Sequence, residues 1–288
     1  MHHNQFFFFL FDYLKCISKL KFLSTCHFSD WYKLKKLEVL DLSYNEFVEQ
    51  LPSSFVNMTS LRNLILTDNH FIGNIGPNLA SFTSLELLNI EGNQFQFPIS
   101  FTPFTNHSNL KFIYGNGNEV ILDSHSSLKT WVPKFQLQVL QLFSITRTKS
   151  IPLPNFLIQY NLTYVDFTNC KIRGEFPIWL LENNTKMETL ILQNCSFMGD
   201  FHLSSCPYLN MVRVDLSNNA ITGQMLSNNI SSIFPNLVHL NMSINAIHGS
   251  IPYELSHLSS LDTLDLSYNQ LSREYHITYL EMGVKSHS

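Results

Sequence analysis

Cys195, His202 and Cys206 put two thiols and an imidazole into one short stretch of chain, and these are residue types that hold zinc. Their spacing fits no tetrahedral ligand pattern, so no metal centre is expected there. Gly115-Asn116-Gly117 opens like a phosphate-cradling loop, but a third glycine and a following βαβ unit are both missing. The chain has no G-x-S-x-G and no H-E-x-x-H, and no nucleophile stands beside a base. Its twelve histidines are scattered, with no pair at a ligand spacing. These observations point away from an enzyme and imply neither cofactor nor metal.

What remains chemically is asparagine, in two patterns. Seven N-x-S/T sequons begin at Asn57, Asn106, Asn161, Asn183, Asn194, Asn229 and Asn241, each a candidate for N-glycosylation. Most of them fall on turns that tolerate a glycan, whereas Asn241 falls on a strand, where a glycan blocks the strand face. The second pattern is a ladder: Asn45, Asn69, Asn93, Asn118, Asn219, Asn245 and Asn269 recur at one fixed place in a repeating unit. Cys170 and Cys195 occupy that place in two units, and Ile145 breaks it in another.

The repeat itself is clearest in LVHLNMSINAIHGSIPYELSHLSS, from Leu237 to Ser260. Starts at Leu37, Leu61, Leu85, Leu110, Leu137, Leu162, Met187, Met211, Leu237 and Leu261 give a period of roughly 24 residues, inside the 20 to 29 of L-x-x-L-x-L-x-x-N-x-L arrays. Alternation at Leu240, Asn241 and Met242 makes a short strand with its leucine-type residues turned inward. A single coil cannot bury these residues. Stacked coils can, each buried Leu or Ile contributing about 1.5–3 kcal/mol, so stability comes from neighbours. The ladder asparagine sits where the chain leaves the strand, and its carboxamide can satisfy backbone groups that the bend leaves unpaired. Cys170 and Cys195 are therefore expected as buried free thiols. With Cys16, Cys26 and Cys206 they make an odd count without a disulfide-framework spacing.

The expected fold is an α/β solenoid, a leucine-rich repeat superhelix with one continuous parallel β-sheet on the concave face and an irregular, partly 3₁₀ convex side. The array is assigned residues 28–271, about ten units, with 1–27 as a poorly structured leader or weak signal segment and 272–288 as a non-repeat tail. Trp31 and Leu34 stand ahead of Leu37 as Phe55 and Met58 stand ahead of Leu61, so the chain is expected to be an interior piece of a longer array. The segment from Asn118 to Gln136 lengthens its unit and reads as a tolerated insertion rather than a binding loop.

Composition narrows the class of partner. The 288 residues carry 18 basic and 22 acidic side chains, a net charge of −4, with only 14% charged. No basic run exists to neutralise phosphates, which argues against nucleic acid. The Phe6–Phe11 run is the most apolar stretch, but Asp12, Lys15, Lys19 and Lys21 stop it well short of a membrane span. As the core of a secretory signal ending near Ser24-Thr25-Cys26, it lacks Lys or Arg before it.

The back half of the unit reads Gly249-Ser250-Ile251-Pro252, with variants at Gly174-Glu175-Phe176-Pro177 and Gly73-Asn74-Ile75-Gly76, and the proline alone in Leu51-Pro52 and Phe97-Pro98. This resembles the plant-specific class of leucine-rich repeat. FQLQVLQL, NLTYVDFTN, GEFPIWLLENNTKMETLILQN and LSNNAITGQ further resemble plant receptor-like proteins. That resemblance implies an extracellular array, anchored in the family by one membrane helix without a kinase domain. It further implies perception of an extracellular signal in defence or development, with signalling through a partner receptor kinase. The paired-cysteine cap, C-terminal cap, membrane helix and cytoplasmic tail of the family pattern are departures here. Without an anchor the chain is expected to be secreted if its leader functions.

Outward-facing strand residues line the concave sheet, the surface that solenoids offer to partners. Tyr114, Phe143, Tyr164, Ile191 and Arg213, with Asp166 and Gln193 between them, are the expected ligand patch, because binding hot spots favour clustered aromatics and arginine. A protein or peptide ligand suits such a surface. Two other classes use the same sheet: a secreted inhibitor of a cell-wall enzyme, and the truncated ectodomain of a receptor kinase.

Overall fold

The computed structural model describes residues 33–121, 133–142, 151–152, 159–170, 172–201, 206–224 and 230–272. Contacts divide the chain into two compact units, one comprising Met1–Arg147 with Pro154–Ile158, the other Thr148–Leu153 with Gln159–Ser288. Each unit is a stack of coils.

In the first unit, strands Val39–Asp41, Asn63–Ile65, Leu87–Asn89, Phe112–Tyr114 and Val139–Gln141 pair in parallel, each with the next. In the second, Tyr164–Asp166, Thr189–Ile191, Arg213–Asp215, His239–Asn241 and Thr263–Asp265 do the same. Register is set by hydrophobicity: Leu64 stands against Leu40 and Leu88, and Val214 against Leu190 and Leu240, all six buried. A one-residue slip would turn that whole row outward, so the period-2 alternation fixes the alignment.

After nine of these ten strands the chain bends through a left-handed residue. Tyr44, Asp68, Asn169, Asn194, Asn218, Ile244 and Tyr268 have φ between 50° and 59°, and Gly92 and Gly117 take the same place at 66° and 80°. Glycine suits Gly92 on a second count, because a Cβ there would lie 2.1 Å from the Asp68 carboxylate and displace it.

The ladder residue follows immediately and holds the bend. Asn69 Nδ2 donates to Leu42 O at 2.9 Å in the coil before and to Leu66 O at 3.1 Å in its own, while its Oδ1 accepts Phe47 N at 3.2 Å. Asn118, Asn219, Asn245 and Asn269 repeat this bridging, and Asn45 bonds the carbonyls of Leu42 and Ser43 within its own coil. The bend thus costs few unpaired backbone groups.

Beyond the ladder, short second strands form flanking parallel sheets that periodicity alone did not reveal. Ile72–Asn74, Gln94–Pro98 and Glu119–Ile121 pair in the first unit. Ile151–Pro152, Ile172–Glu175, Ser196–Asp200 and Ala220–Thr222 pair in the second, as do His248–Ser250 and Gln270–Ser272. The return path uses one-turn helices: 3₁₀ at Ser53–Asn57, Thr102–Phe104 and Tyr253–His257, α at Gly76–Leu79, Ile178–Glu182 and Ile230–Ile233. Pro52, Pro177 and Pro252 each stand just before one of these helices, where a fixed φ costs nothing. Between the layers, the Phe71 ring stacks on Phe47 at 5.5 Å and on Phe95 at 5.6 Å, so adjacent coils share one apolar column.

Candidate ligand-binding face

The strand ends carry a device of their own. Asp215 Oδ1 accepts both the backbone N–H of Ser217 at 3.1 Å and its hydroxyl at 2.7 Å. Asp41 with Ser43, Asp166 with Thr168, Asn241 with Ser243, and Asp265 with Ser267 form the same turn. One oxygen of each side chain is committed to the turn, which fixes its rotamer, and Asp215 and Asn241 also line the hollow described next. At Asp265, the hydrogen bonds from Ser267 hold the carboxyl below its ordinary range.

In the second unit these turns generate two rows. Tyr164, Thr189, Arg213, His239 and Thr263 align across successive strands, and Asp166, Ile191, Asp215, Asn241 and Asp265 form the row beside them. Arg213, Asp215, His239, Asn241 and Thr263, with the backbone beneath, line a hollow of about 240 Å³. Its groups are only loosely paired. Arg213 Nη2 lies 3.9 Å from Asp215 Oδ2, and Asn241 Nδ2 approaches the same oxygen at 3.5 Å. Arg213 is 47% exposed, and an ion pair so open contributes little. The hollow therefore offers guanidinium and carboxamide N–H donors beside a carboxylate acceptor, with much of that capacity unspent.

The same hollow is not arranged as a nucleophilic site. His239 Nδ1 lies 3.1 Å from the Thr263 hydroxyl, and that hydroxyl donates to Asp262 Oδ2 at 3.4 Å. The carboxylate thus meets the threonine rather than the imidazole, whereas a base needs its far nitrogen oriented by the third group. Among the described residues, no group of three or more His, Cys, Asp or Glu is placed to hold a metal.

The first unit presents a different surface. Arg62 bridges Glu38 at 3.7 Å and Glu86 at 2.7 Å, and Lys111 reaches Glu86 at 3.4 Å, so charges alternate along one row and neutralise each other. Tyr114 is half-buried there, between Asn89 and Gln141 of the neighbouring strands.

Of the expected ligand patch, Tyr164, Asp166, Ile191 and Arg213 lie on three consecutive strands of the second unit, and Gln193 stands exposed just past the second of them. Ile191 corrects the expectation of exposure: it is only 8% exposed, because it lies between Asp166 and Asp215 of the flanking strands. Phe143 lies outside the described residues, as do Cys16, Cys26, Ile145, His202 and Asn229. Asp215, His239 and Thr263 were missed by a search for apolar and aromatic hot spots, although the alignment of repeat units puts them in register with Asp166 and Tyr164.

The remaining expected residues fall as follows. Asn57, Asn106, Asn161 and Asn194 are exposed, Asn183 is half-exposed, and Asn241 is half-buried on the concave face. Cys170 and Cys195 are buried free thiols and Cys206 is an exposed one. Burial pushes the Cys195 thiol up to about 12. Gly117 serves the coil bend, at the same place as Gly92. No helix among the described residues is long and apolar enough to cross a membrane.

A family model for the leucine rich repeat matches residues 16–71. The chain is 40% identical over 248 residues to Cuscuta receptor 1 of Solanum lycopersicum, covering 85% of this chain and 22% of that protein. It is likewise 40% identical over 239 residues to Receptor-like protein 13 of Arabidopsis thaliana, covering 82% of this chain and 22% of the relative. The chain thus spans about a fifth of the length of these relatives. Among solved structures, that of PEPR1-AtPEP1 superposes with a TM-score of 0.69 at 27% identity, over 83% of this chain and 33% of that one. With the coil geometry described above, these similarities identify the chain as a leucine-rich repeat segment related to the plant receptor-like proteins.

Proposed function

We propose that this segment is the ligand-contacting part of a plant receptor-like protein, displayed on the extracellular side of the plasma membrane, and that its ligand is an extended peptide or protein loop. The carrying observation is the hollow around Arg213. Guanidinium and carboxamide donors stand beside the Asp215 carboxylate at 3.9 and 3.5 Å, which complements the acceptor and donor of a peptide amide. The fixed turns at Asp166, Asp215, Asn241 and Asp265 hold these groups in place before a ligand arrives, lowering the ordering cost of binding. Perception in defence or development and signalling through a partner receptor kinase belong to the same proposal and rest on the resemblance to plant receptor-like proteins rather than on the hollow. The working role is recognition, not catalysis.

The test is selection from a library of random linear peptides displayed against the chain made in a host that adds no N-glycan, followed by calorimetry on the selected sequences. Arg213→Ala should weaken the selected peptides by about tenfold or more, as loss of a central arginine anchor does. Lys111→Ala, on the face of the first unit, should leave them unchanged. Failure to select any peptide, or affinities indifferent to Arg213→Ala, would overturn the proposal.

A further inference from the structure

Asn241 is both a lining residue of the hollow and the first residue of the sequon Asn241-Met242-Ser243. We propose that Asn241 is an N-glycan acceptor whose occupancy closes the hollow. The inference rests on the extracellular reading above and on the hollow's geometry, but not on the identity of any ligand.

The argument begins with the ladder asparagines. Each of Asn69, Asn93, Asn118, Asn219, Asn245 and Asn269 commits its Nδ2 to carbonyls of its own and the preceding coil, leaving no hydrogen to replace. None of the six begins a sequon. Asn241 is bonded the other way round. Its Oδ1 carries the structural load, accepting Ser243 N at 3.0 Å and Ser243 Oγ at 2.8 Å. Among the described residues its Nδ2 makes only the 3.5 Å approach to Asp215.

Transfer from a lipid-linked oligosaccharide diphosphate would form a bond from Nδ2 to the sugar's anomeric carbon. The carbon–oxygen bond to the diphosphate breaks, the diphosphate leaves with that electron pair, and Nδ2 gives up one proton. The carbonyl oxygen that holds the turn is untouched, so the coil accommodates the product. The linked sugar then emerges into the hollow, over His239 in the same strand and Arg213 in the neighbouring one. Asn194 is a contrasting sequon: its Nδ2 donates to Asn169 Oδ1 at 2.5 Å and its Oδ1 accepts Asn218 Nδ2 at 2.8 Å, in an exposed row away from this hollow.

The test compares the full chain secreted from a plant-cell host with two variants. Asn241→Asp removes the acceptor and keeps the turn, since Asp215 and Asp265 make that turn in the adjacent coils. Ser243→Thr keeps both turn and sequon, as Thr168 does for Asp166. Amidase release in ¹⁸O-water should label position 241 in the wild type and in Ser243→Thr. Carbethoxylation of His239 by diethyl pyrocarbonate, normalised to exposed His248 and His257, should be several-fold faster in Asn241→Asp than in either glycosylated protein. No label at Asn241, or equal His239 rates with the label present, would overturn the inference. Because neither readout uses a peptide, loss of the peptide-binding proposal would leave this result standing, and the reverse holds equally.

Discussion

Asn93 Oδ1 accepts the backbone N–H of Phe71, one coil earlier, at 3.0 Å, and through this contact two coils share one bend. The same side chain donates to Leu66 O at 2.8 Å and to Ile90 O at 3.0 Å. Replacing it with alanine strands a buried N–H and weakens two carbonyls, at about 1–3 kcal/mol for each group left unsatisfied. Asn93→Asp should be worse than Asn93→Ala, because a carboxylate faces those carbonyl oxygens without a proton to give. Urea unfolding should rank the stabilities wild type, then alanine, then aspartate. Hydrogen exchange at the Phe71 amide should lose its protection in both variants.

Ile244 holds φ 55° while 48% exposed, a β-branched residue in a conformation that such side chains avoid. Asn169, Asn194 and Asn218 occupy the same place in the three preceding coils. Its N–H donates to Ser267 O at 2.9 Å, so the neighbouring coil imposes the bend on it. Ile244→Asn relieves roughly 1 kcal/mol of steric cost at little loss of burial. The melting temperature should rise by roughly 2–4 °C. An unchanged or lower melting temperature would show that the isoleucine side chain carries packing that its exposure conceals.

The parts of the fold that were readable in the sequence are those with a single chemical solution. Inward leucines recur in nearly every unit and the ladder asparagine in seven of ten, because a buried strand face and a bend with unpaired carbonyls each admit few residue types. The left-handed place went unread because Tyr44, Asp68, Gly92, Asn169 and Ile244 share no chemistry, only a φ imposed by neighbouring coils. The flanking sheets were hidden for a similar reason, since strands such as His248–Ser250 are short and polar and hold through their partner's backbone. At the candidate site, Arg213 was legible as an anchor residue, but Asp215 and His239 gain their meaning only from the coil alignment that puts them around one hollow. Ile191 shows the opposite limit: an outward strand position still becomes buried when both neighbouring strands cover it.

Cys195 stands where other coils use the ladder asparagine, and its thiol donates to Phe167 O at 3.0 Å, with Gln193 O at 3.7 Å. Sulfur is the weaker donor and has one hydrogen where the carboxamide has two. Cys195→Asn should therefore stabilise the second unit by about 1 kcal/mol, the net worth of a typical added hydrogen bond. The raised pKa, about 12, leaves almost no thiolate at neutral pH, so iodoacetamide should spare Cys195 in the folded chain and alkylate it on unfolding. Exposed Cys206 should be alkylated in both states. Mass spectrometry of the labelled peptides reads the two sites separately.

His107 is fully buried in the first unit, its ring edge-on to Phe104 at 5.1 Å, with neither ring nitrogen hydrogen-bonded among the described residues. Burial lowers its pKa from the ordinary 6.5, the nearby carbonyls of Phe82 and Phe104 opposing that shift only in part. In the unfolded chain the imidazole takes up its proton near the ordinary value, while the folded chain holds it neutral to lower pH. The unfolded state then binds more protons in that window, so stability rises with pH across it. Stability should accordingly be intact above about pH 6.5 and fall as the pH drops below that value, until the folded pKa is passed. His107→Phe replaces the ring with one that suits the Phe104 and Phe135 cluster and cannot protonate. Its urea midpoint should lose less than that of the wild type between pH 7.5 and pH 5. Equal losses in the two proteins would mean that the acid sensitivity arises elsewhere in the chain.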